Sequence, residues 1–222
     1  MKKVLVVAPH ADDETLGCGG TLLKHYDEGD EIYWLIVTSM SLESGFSESQ
    51  VQHRQLEIEK VNDLYGFKGL YQLGFPPASL DTIAKKDIVN EMSIIIQELC
   101  PEVVYCTYRN DVHSDHEVVF DTLMASTKSF RCQNVKRILA YETLSETDFS
   151  LRVDRAPFRP NVYVNIDGYL DRKIEIMSQF ASEISEFPFP RSGQALKALA
   201  QYRGVQAGCN AAEAFMLLKE IV

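Results

Sequence analysis

Two short segments of the chain concentrate the side chains that bind metals and transfer protons. The first is Pro9-His10-Ala11-Asp12-Asp13-Glu14, and the second is Arg109-Asn110-Asp111-Val112-His113-Ser114-Asp115-His116. Catalytic zinc takes imidazole nitrogen and carboxylate oxygen from three protein ligands and keeps one position open. A His and an Asp three residues apart in the first segment, together with a His from the second, would supply such a set. The two segments therefore predict a metal site.

Two other interpretations compete with a metal site. In the first interpretation, the acids next to a predicted helix start serve only as helix caps; these are Asp12 or Asp13, and Asp115. Capping uses one acid per turn, however, and does not account for the histidines beside these acids. The glycine cluster at residues 17–20 would suit a phosphate, but it follows an acidic turn that repels pyrophosphate. We therefore favour the metal site and expect the glycines to let a helix pack closely on the sheet.

The segments around the two clusters alternate between short apolar runs and helical patterns. The runs predict strands at 4–8, 32–37, 70–73 and 103–108, and the helical spacing predicts helices at 16–28, 47–65, 88–99 and 116–129. This alternation favours an α/β fold with a Rossmann-like, mainly parallel sheet and helices on both faces. The two clusters follow the first and fourth strands. Because ligands of open parallel sheets bind beyond the carboxyl ends of the strands, we expect the clusters to meet there.

After residue 130 the pattern is looser. It predicts strands at 135–141 and 162–166 and helices at 170–184 and 194–202. We find no internal repeat and no linker that would separate a second domain. The expected organisation is a single domain over residues 1–222 with a decorated C-terminal third.

The composition excludes several classes of protein. The 222 residues carry a formal net charge of −10, which weighs against nucleic acid as a partner. The apolar runs are far shorter than the roughly 20 residues that a membrane span needs. The 5 cysteines show no close-paired spacing, which indicates a reducing cytoplasm.

The two segments resemble the AHPDDE and HPDH signatures of the PIG-L/LmbE-like zinc-dependent N-acetyl-sugar deacetylases. Ala11 and Ser114 replace the usual prolines, which removes no ligand. The similarity covers nearly the whole chain. Its later segments include Arg54 with Glu57, Leu73-Gly74-Phe75-Pro76, Arg191-Ser192 and Ala212-Glu213-Ala214-Phe215. Relatives often carry a Tyr just before the last of these segments, where this chain has Ala211.

The resemblance implies one Zn²⁺ per chain, or another divalent transition metal, bound by His10, Asp13 and His116. It also implies that Asp12 acts as the general base for the water that attacks an acetamide carbonyl. The leaving amine would then be protonated by Asp12 or by His113.

A cationic His113 is expected to stabilise the oxyanion together with the metal. Asp115 is expected to hydrogen-bond His113 and raise its pKa. The candidate substrate-binding residues are Arg54, Asp111 and Arg191, although either arginine could equally form a salt bridge. The expected substrate is a small, soluble N-acetylated sugar or glycoside, and the expected assembly is a homo-oligomer.

Two rival functions stay open at this point. A phosphoesterase would use the acidic residues of both segments to bridge two metal ions. A non-catalytic module would keep the sheet and bind a sugar without turnover.

Overall fold

The computed structural model describes residues 1–151 and 153–222, and seven of its strands form one sheet. The strands are β1 (Lys3–Ala8), β2 (Glu31–Thr38), β3 (Gly69–Phe75), β4 (Val103–Thr107), β5 (Arg137–Tyr141), β6 (Val162–Asn165) and β7 (Ala212–Glu220). The helices are α1 (Asp13–Asp27), α2 (Glu48–Tyr65), α3 (Lys85–Leu99), α4 (Ser114–Ser126), α5 (Leu170–Met177) and α6 (Gly193–Ala207). A short 3-10 helix covers Leu80–Thr82.

The strand order is β3-β2-β1-β4-β5-β7-β6. Strands β1 to β5 pair in parallel, whereas β7 runs antiparallel to both of its neighbours. The order reverses between β1 and β4, because the connections that follow these two strands leave in opposite directions. Such a reversal opens a crevice beyond the carboxyl ends of the two strands.

Helices cover both faces of the sheet, which confirms the predicted α/β fold class. Val4 and Val6 of β1 pack into a core with α1, α2, α5 and α6. Leu5 and Val7 point to the opposite face and pack with α3 and α4. Because the strand is buried on both faces, its sequence is continuously apolar instead of alternating.

The sequence prediction missed β7 entirely. The strand reads Ala-Glu-Ala-Phe-Met-Leu-Leu-Lys-Glu, which is rich in helix-forming residues. It adopts an extended conformation because it pairs with β5 on one side and β6 on the other. The helix predicted at 170–184 is also wrong in its second half, since α5 ends at Met177 and the chain then turns toward the carboxyl edge of the sheet.

Helix α1 is interrupted at Cys18, whose backbone angles are φ −141° and ψ 20°. A buried ion pair satisfies both sides of the interruption. Lys173 Nζ donates to the carbonyl oxygen of Leu16 at 2.9 Å and lies 2.7 Å from Glu213 Oε1. The Glu213 carboxylate accepts the backbone N–H groups of Gly20 and Thr21 at 2.9 and 2.7 Å. A cation thus lies at the end of the first helical segment and an anion at the start of the second, as the helix dipole favours.

Gly17 explains how closely α1 approaches the sheet. A Cβ atom at this position would lie 2.0 Å from Cδ2 of Tyr141 on β5. Only glycine fits such a contact, and the expected role of the glycine cluster in close helix packing is confirmed here.

None of the helices in the described part of the chain is long and apolar enough to cross a membrane. The longest, α2, has 18 residues and carries charged side chains along its length. All five cysteines are free, three of them buried.

We predict that Lys173→Met lowers the free energy of unfolding by about 3–5 kcal/mol, because Glu213 would be left as a buried charge without its partner. Urea unfolding followed by circular dichroism measures the change. Arg172→Met, which removes a half-exposed charge on the same helix, is the matched control and should cost less than about 1 kcal/mol. Equal losses from the two variants would contradict the structural role of the ion pair.

Candidate metal centre

The two polar clusters meet at the carboxyl ends of β1 and β4. Helix α1 begins at Asp13 and helix α4 begins at Ser114, so Asp13 and His116 both lie in first helical turns that face the crevice. His10 lies in the loop between β1 and α1. One ligand atom from each of His10, Asp13 and His116 lies within 4.8 Å of the other two. The structure thus brings together the three residues that the sequence proposed as a ligand set.

These residues belong to a line of alternating carboxylates and imidazoles, which we term the Asp–His chain: Asp111, His116, Asp13, His10 and Asp115. His116 Nδ1 lies 2.8 Å from Asp111 Oδ2, and His116 Nε2 lies 3.3 Å from Asp13 Oδ1. On the other side, Asp13 Oδ2 lies 3.3 Å from His10 Nδ1, and His10 Nε2 lies 3.0 Å from Asp115 Oδ2. Each histidine therefore uses one ring nitrogen toward Asp13 and the other toward an outer carboxylate.

The Asp–His chain shifts the pKa of its members strongly. Burial opposes the charged form of His10, but its hydrogen bonds with Asp115 and Asp13 outweigh burial and raise its pKa to about 9. Against the same effect of burial, the Asp13 charge and the bond to Asp111 raise the pKa of His116 well above its ordinary value. Burial would raise the pKa of Asp13, yet the two histidines hold it well below its usual range.

One buried nitrogen without a hydrogen-bond partner indicates that these residues fit a metal ion. His116 Nε2 is buried and has no hydrogen-bond partner among the described residues. It faces Asp13, the same carboxylate that His10 Nδ1 faces. Outer carboxylates that hold the far nitrogen of a histidine are the usual means of orienting metal ligands. Two nitrogens and one oxygen also match the donors that zinc prefers.

The structure corrects the expected partner of Asp115. In the described part of the chain, no hydrogen bond joins its carboxylate to the His113 ring. Asp115 Oδ2 instead lies beside His10 and accepts the N–H of Ala78 at 2.7 Å, while Oδ1 accepts the N–H of Leu80 at 3.1 Å. The carboxylate thus ties the loop after β3 to the site.

The expected contact of Asp111 with substrate is also corrected. Asp111 is only 3% exposed and lies behind His116. Its Oδ1 accepts a hydrogen bond from Thr147 Oγ1 at 2.6 Å, and its Oδ2 faces His116 Nδ1. Both oxygens are therefore occupied by protein groups.

His113 is not the cation that the sequence suggested. Its Nδ1 accepts the backbone N–H of Asp115 at 3.1 Å and so caps α4. Burial, together with positive charge on His10 and His116, lowers its pKa to about 4. The ring is therefore neutral at pH 7, and because Nδ1 accepts, Nε2 carries the proton and can donate. Its centroid lies 4.5 Å from that of His10, at the wall of the cleft.

Asp12 adopts a backbone conformation that non-glycine residues rarely enter, with φ 149°. Its N–H donates to Glu14 Oε2 at 3.1 Å, and the hydroxyl of Thr15 donates to Glu14 Oε1 at 2.6 Å. Strain of this kind is characteristic of functional sites. Burial and the adjacent charge of Asp13 raise the pKa of Asp12 to about 7, against the lowering effect of Arg191. A carboxyl with that pKa can both take and return a proton.

Arg54 and Arg191 both engage protein carboxylates. Arg191 Nη1 donates to Asp12 Oδ2 at 2.9 Å and to Glu183 Oε2 at 2.8 Å. Arg54 Nη2 donates to Glu183 Oε1 and its Nη1 donates to the carbonyl of Ala11 at 2.9 Å. Sequence reasoning missed Glu183, because it lies in a segment wrongly assigned to a helix and no spacing connects it with the first motif.

A cleft of about 240 Å³ opens from these residues. Its polar side includes Asp12, Asp13, Glu146, Glu183 and the three histidines at 10, 113 and 116. Its other side is formed by the loop after β2 and by α2, and it includes Met40, Phe46, Val51 and Ile58. The cleft therefore joins the candidate metal centre to a partly apolar surface.

Comparison with known proteins finds similar sequences among proteins named as deacetylases. The chain is 24% identical over 222 residues to the diacetylchitobiose deacetylase of Thermococcus kodakarensis, covering 96% of this chain and 82% of that protein. It is 22% identical to the probable N-acetyl-alpha-D-glucosaminyl L-malate deacetylase 2 of Bacillus anthracis, covering 83% of this chain and 84% of that protein.

The fold has a similar neighbour among solved structures. The conserved protein TT1542 of Thermus thermophilus superposes with a TM-score of 0.81 at 26% identity, covering 100% of this chain and 97% of that one. The model of the PIG-L family, described as GlcNAc-PI de-N-acetylase, matches residues 5–127, which include both polar clusters and more than half of the chain. The chain therefore belongs to the PIG-L family.

Proposed function

We propose that this protein hydrolyses the acetamide of an N-acetylglucosamine-type sugar or glycoside and releases acetate, with one divalent metal ion, zinc in the first place, bound at the Asp–His chain. The observation that carries the proposal is the convergence of His10, Asp13 and His116 on one point, with Asp12 beside it. The membership of the PIG-L family and the deacetylase names of two relatives support the same reaction.

His10, Asp13 and His116 would hold the ion. When bound, such an ion polarises a carbonyl group and lowers the pKa of water to about 7. Asp115 and Asp111 hold the outer nitrogens of the two histidines, so both rings keep their inner nitrogens directed at Asp13.

Asp12 is proposed as the residue that moves the proton. Its carboxylate takes a proton from the attacking water and returns it to the leaving nitrogen as the amide bond breaks. Arg191 holds Oδ2 and Glu14 holds the backbone N–H, so Asp12 is fixed from two sides. The N–H at Nε2 of neutral His113 would donate to the carbonyl oxygen as negative charge develops there.

The rival two-metal phosphoesterase needs free carboxylate oxygens for a second ion. The oxygens of Asp115 are engaged by two backbone N–H groups and His10, and those of Asp111 by Thr147 and His116. This occupancy favours one ion over two. A non-catalytic sugar-binding module would not need a carboxyl with a strained backbone and a raised pKa beside the ligands. Metal content per chain and acetate release from N-acetylated sugars separate the three functions.

Asp12→Asn should retain the metal and reduce turnover by about 10²–10⁴-fold, because it removes the proton acceptor without removing a ligand. His116→Ala should lose the metal itself. Atomic emission on dialysed protein measures metal content, and acetate release measures turnover. His53→Ala, an exposed histidine on α2, is the control and should change neither quantity. Wild-type turnover in Asp12→Asn would refute the assignment of the base.

Asp111→Asn should weaken metal binding by about 10–100-fold, because it replaces the carboxylate that orients His116. Competition with a chromogenic chelator gives the affinity. Asp63→Asn, which removes an exposed carboxylate from α2, should leave it unchanged. A substrate-binding role for Asp111 would instead raise KM while metal affinity stayed at the wild-type value.

Two expectations concern the protein in its cell. We propose that it is a homo-oligomer in a reducing cytoplasm. The free state of all five cysteines supports the second of these statements. Sedimentation equilibrium would measure the assembly.

A further inference from the structure

The cleft contains negative charge whose counter-ions are already engaged. Four carboxylates line it, at Asp12, Asp13, Glu146 and Glu183. Apart from the histidines, the cationic residues among its described lining are the two arginines Arg54 and Arg191. Beyond the ion proposed at the Asp–His chain, a substrate that brings a further negative charge would therefore have to compete for one of these two guanidinium groups.

Arg54 has little capacity left. It is 9% exposed, and its Nη2 donates both to Ser182 Oγ at 2.9 Å and to Glu183. Nη1 donates to the carbonyl of Ala11, and Nε lies 3.4 Å from Glu57. These contacts occupy the guanidinium on each of its three nitrogens.

Arg191 is engaged in the same way. Besides its bonds with Asp12 and Glu183, its Nε donates to Ser145 Oγ at 2.9 Å, and its Nη2 lies 3.5 Å from Glu146 Oε1. A carboxylate or phosphate on the substrate would have to displace one of these partners. Displacement would leave a buried carboxylate unpaired, which is costly.

Glu146 adds to the barrier against anions. It is 9% exposed, and its Oε2 is buried without a hydrogen-bond partner among the described residues. An anion placed in the cleft would lie close to this carboxylate, whose other oxygen is the one that lies 3.5 Å from Arg191 Nη2. A neutral group would meet no such repulsion.

The loop after β2 and helix α2 contribute apolar side chains to the cleft, and Arg54 is the charged residue that α2 adds to them. Met40, Phe46, Val51 and Ile58 form an apolar wall, and the amides of Gln55 and Gln72 lie beside it. Gln72 Nε2 donates to Gln55 Oε1 at 3.3 Å. This wall offers van der Waals contact and neutral hydrogen bonds to a group that extends from the candidate metal centre.

We infer that the cleft selects N-acetylglucosaminides whose aglycone is uncharged and has an apolar face, and discriminates against those whose aglycone is anionic. The inference rests on the proposed function and adds to it the chemical class of the substrate. It makes Phe46 and Gln72 determinants of specificity, because both line the cleft that opens from the candidate metal centre.

Phenyl and 4-carboxyphenyl N-acetylglucosaminides, both as α and β anomers, form a matched pair for the test. Acetate release by the zinc-loaded protein should give a kcat/KM at least about tenfold higher for the phenyl compound, since the carboxylates that line the cleft repel a like charge. An equal or higher value for the carboxyphenyl compound would overturn the inference and leave the proposed deacetylation intact. No acetate from any glycoside or from free N-acetylglucosamine, with zinc shown to be bound, would overturn the deacetylation as well.

Three variants locate the effect. Gln72→Arg places a guanidinium at the wall, where the described hydrogen-bond partners of this side chain are the uncharged Ser39 and Gln55, and should raise the carboxyphenyl-to-phenyl ratio of kcat/KM by about tenfold. Gln97→Arg adds the same charge on α3, across the sheet from the cleft, and should leave the ratio unchanged. Phe46→Ala should lower kcat/KM for the phenyl compound and not for free N-acetylglucosamine. Equal ratios in the two arginine variants would show that selectivity arises elsewhere.

Discussion

The site depends on one buried carboxylate, Asp13, that faces two histidines at once. Buried charges persist only when they are paired and hydrogen-bonded. Asp13 meets this requirement by lying 3.3 Å from a ring nitrogen of His10 and 3.3 Å from one of His116. Because these histidines come from different strand ends, the pairing holds the carboxyl edges of β1 and β4 in one relative position. The geometry that stabilises the buried charge of Asp13 also brings the three side chains close enough together to hold one metal ion.

Several features of the fold keep Asp13 and the two histidines in that relative position. The reversal of strand order places the two loops side by side, and α1 starts at Asp13 itself. The interruption of α1 lets it pack close to β5, where Gly17 meets Tyr141. Lys173 and Glu213 satisfy the backbone groups that the interruption exposes. These residues do not belong to the proposed ligand set, yet they help to determine where the first turn of α1 lies.

Charge balance connects the candidate metal centre to the proposed choice of substrate. Carboxylates that surround the ligands need counter-ions, and Arg54 and Arg191 supply them through Glu183. Arginines used in this way are no longer available to an anionic substrate. A protein of the same family that leaves an arginine free in this cleft would have the opposite preference. The preference for a neutral or an anionic substrate would then vary within one fold through the ion pairs of a few residues. The metal-binding residues would stay the same.

Local patterns in the sequence determined the parallel strands, the helices between them and the position of the site. They suffice because the carboxyl ends of parallel strands share one edge of a sheet. Tertiary structure alone decided which partner each polar group has. Asp115 holds His10 across 105 residues of chain, and Arg191 reaches Asp12 across 179. No local pattern records such contacts. For the same reason β7, whose composition favours a helix, is a strand only because β5 and β6 pair with it.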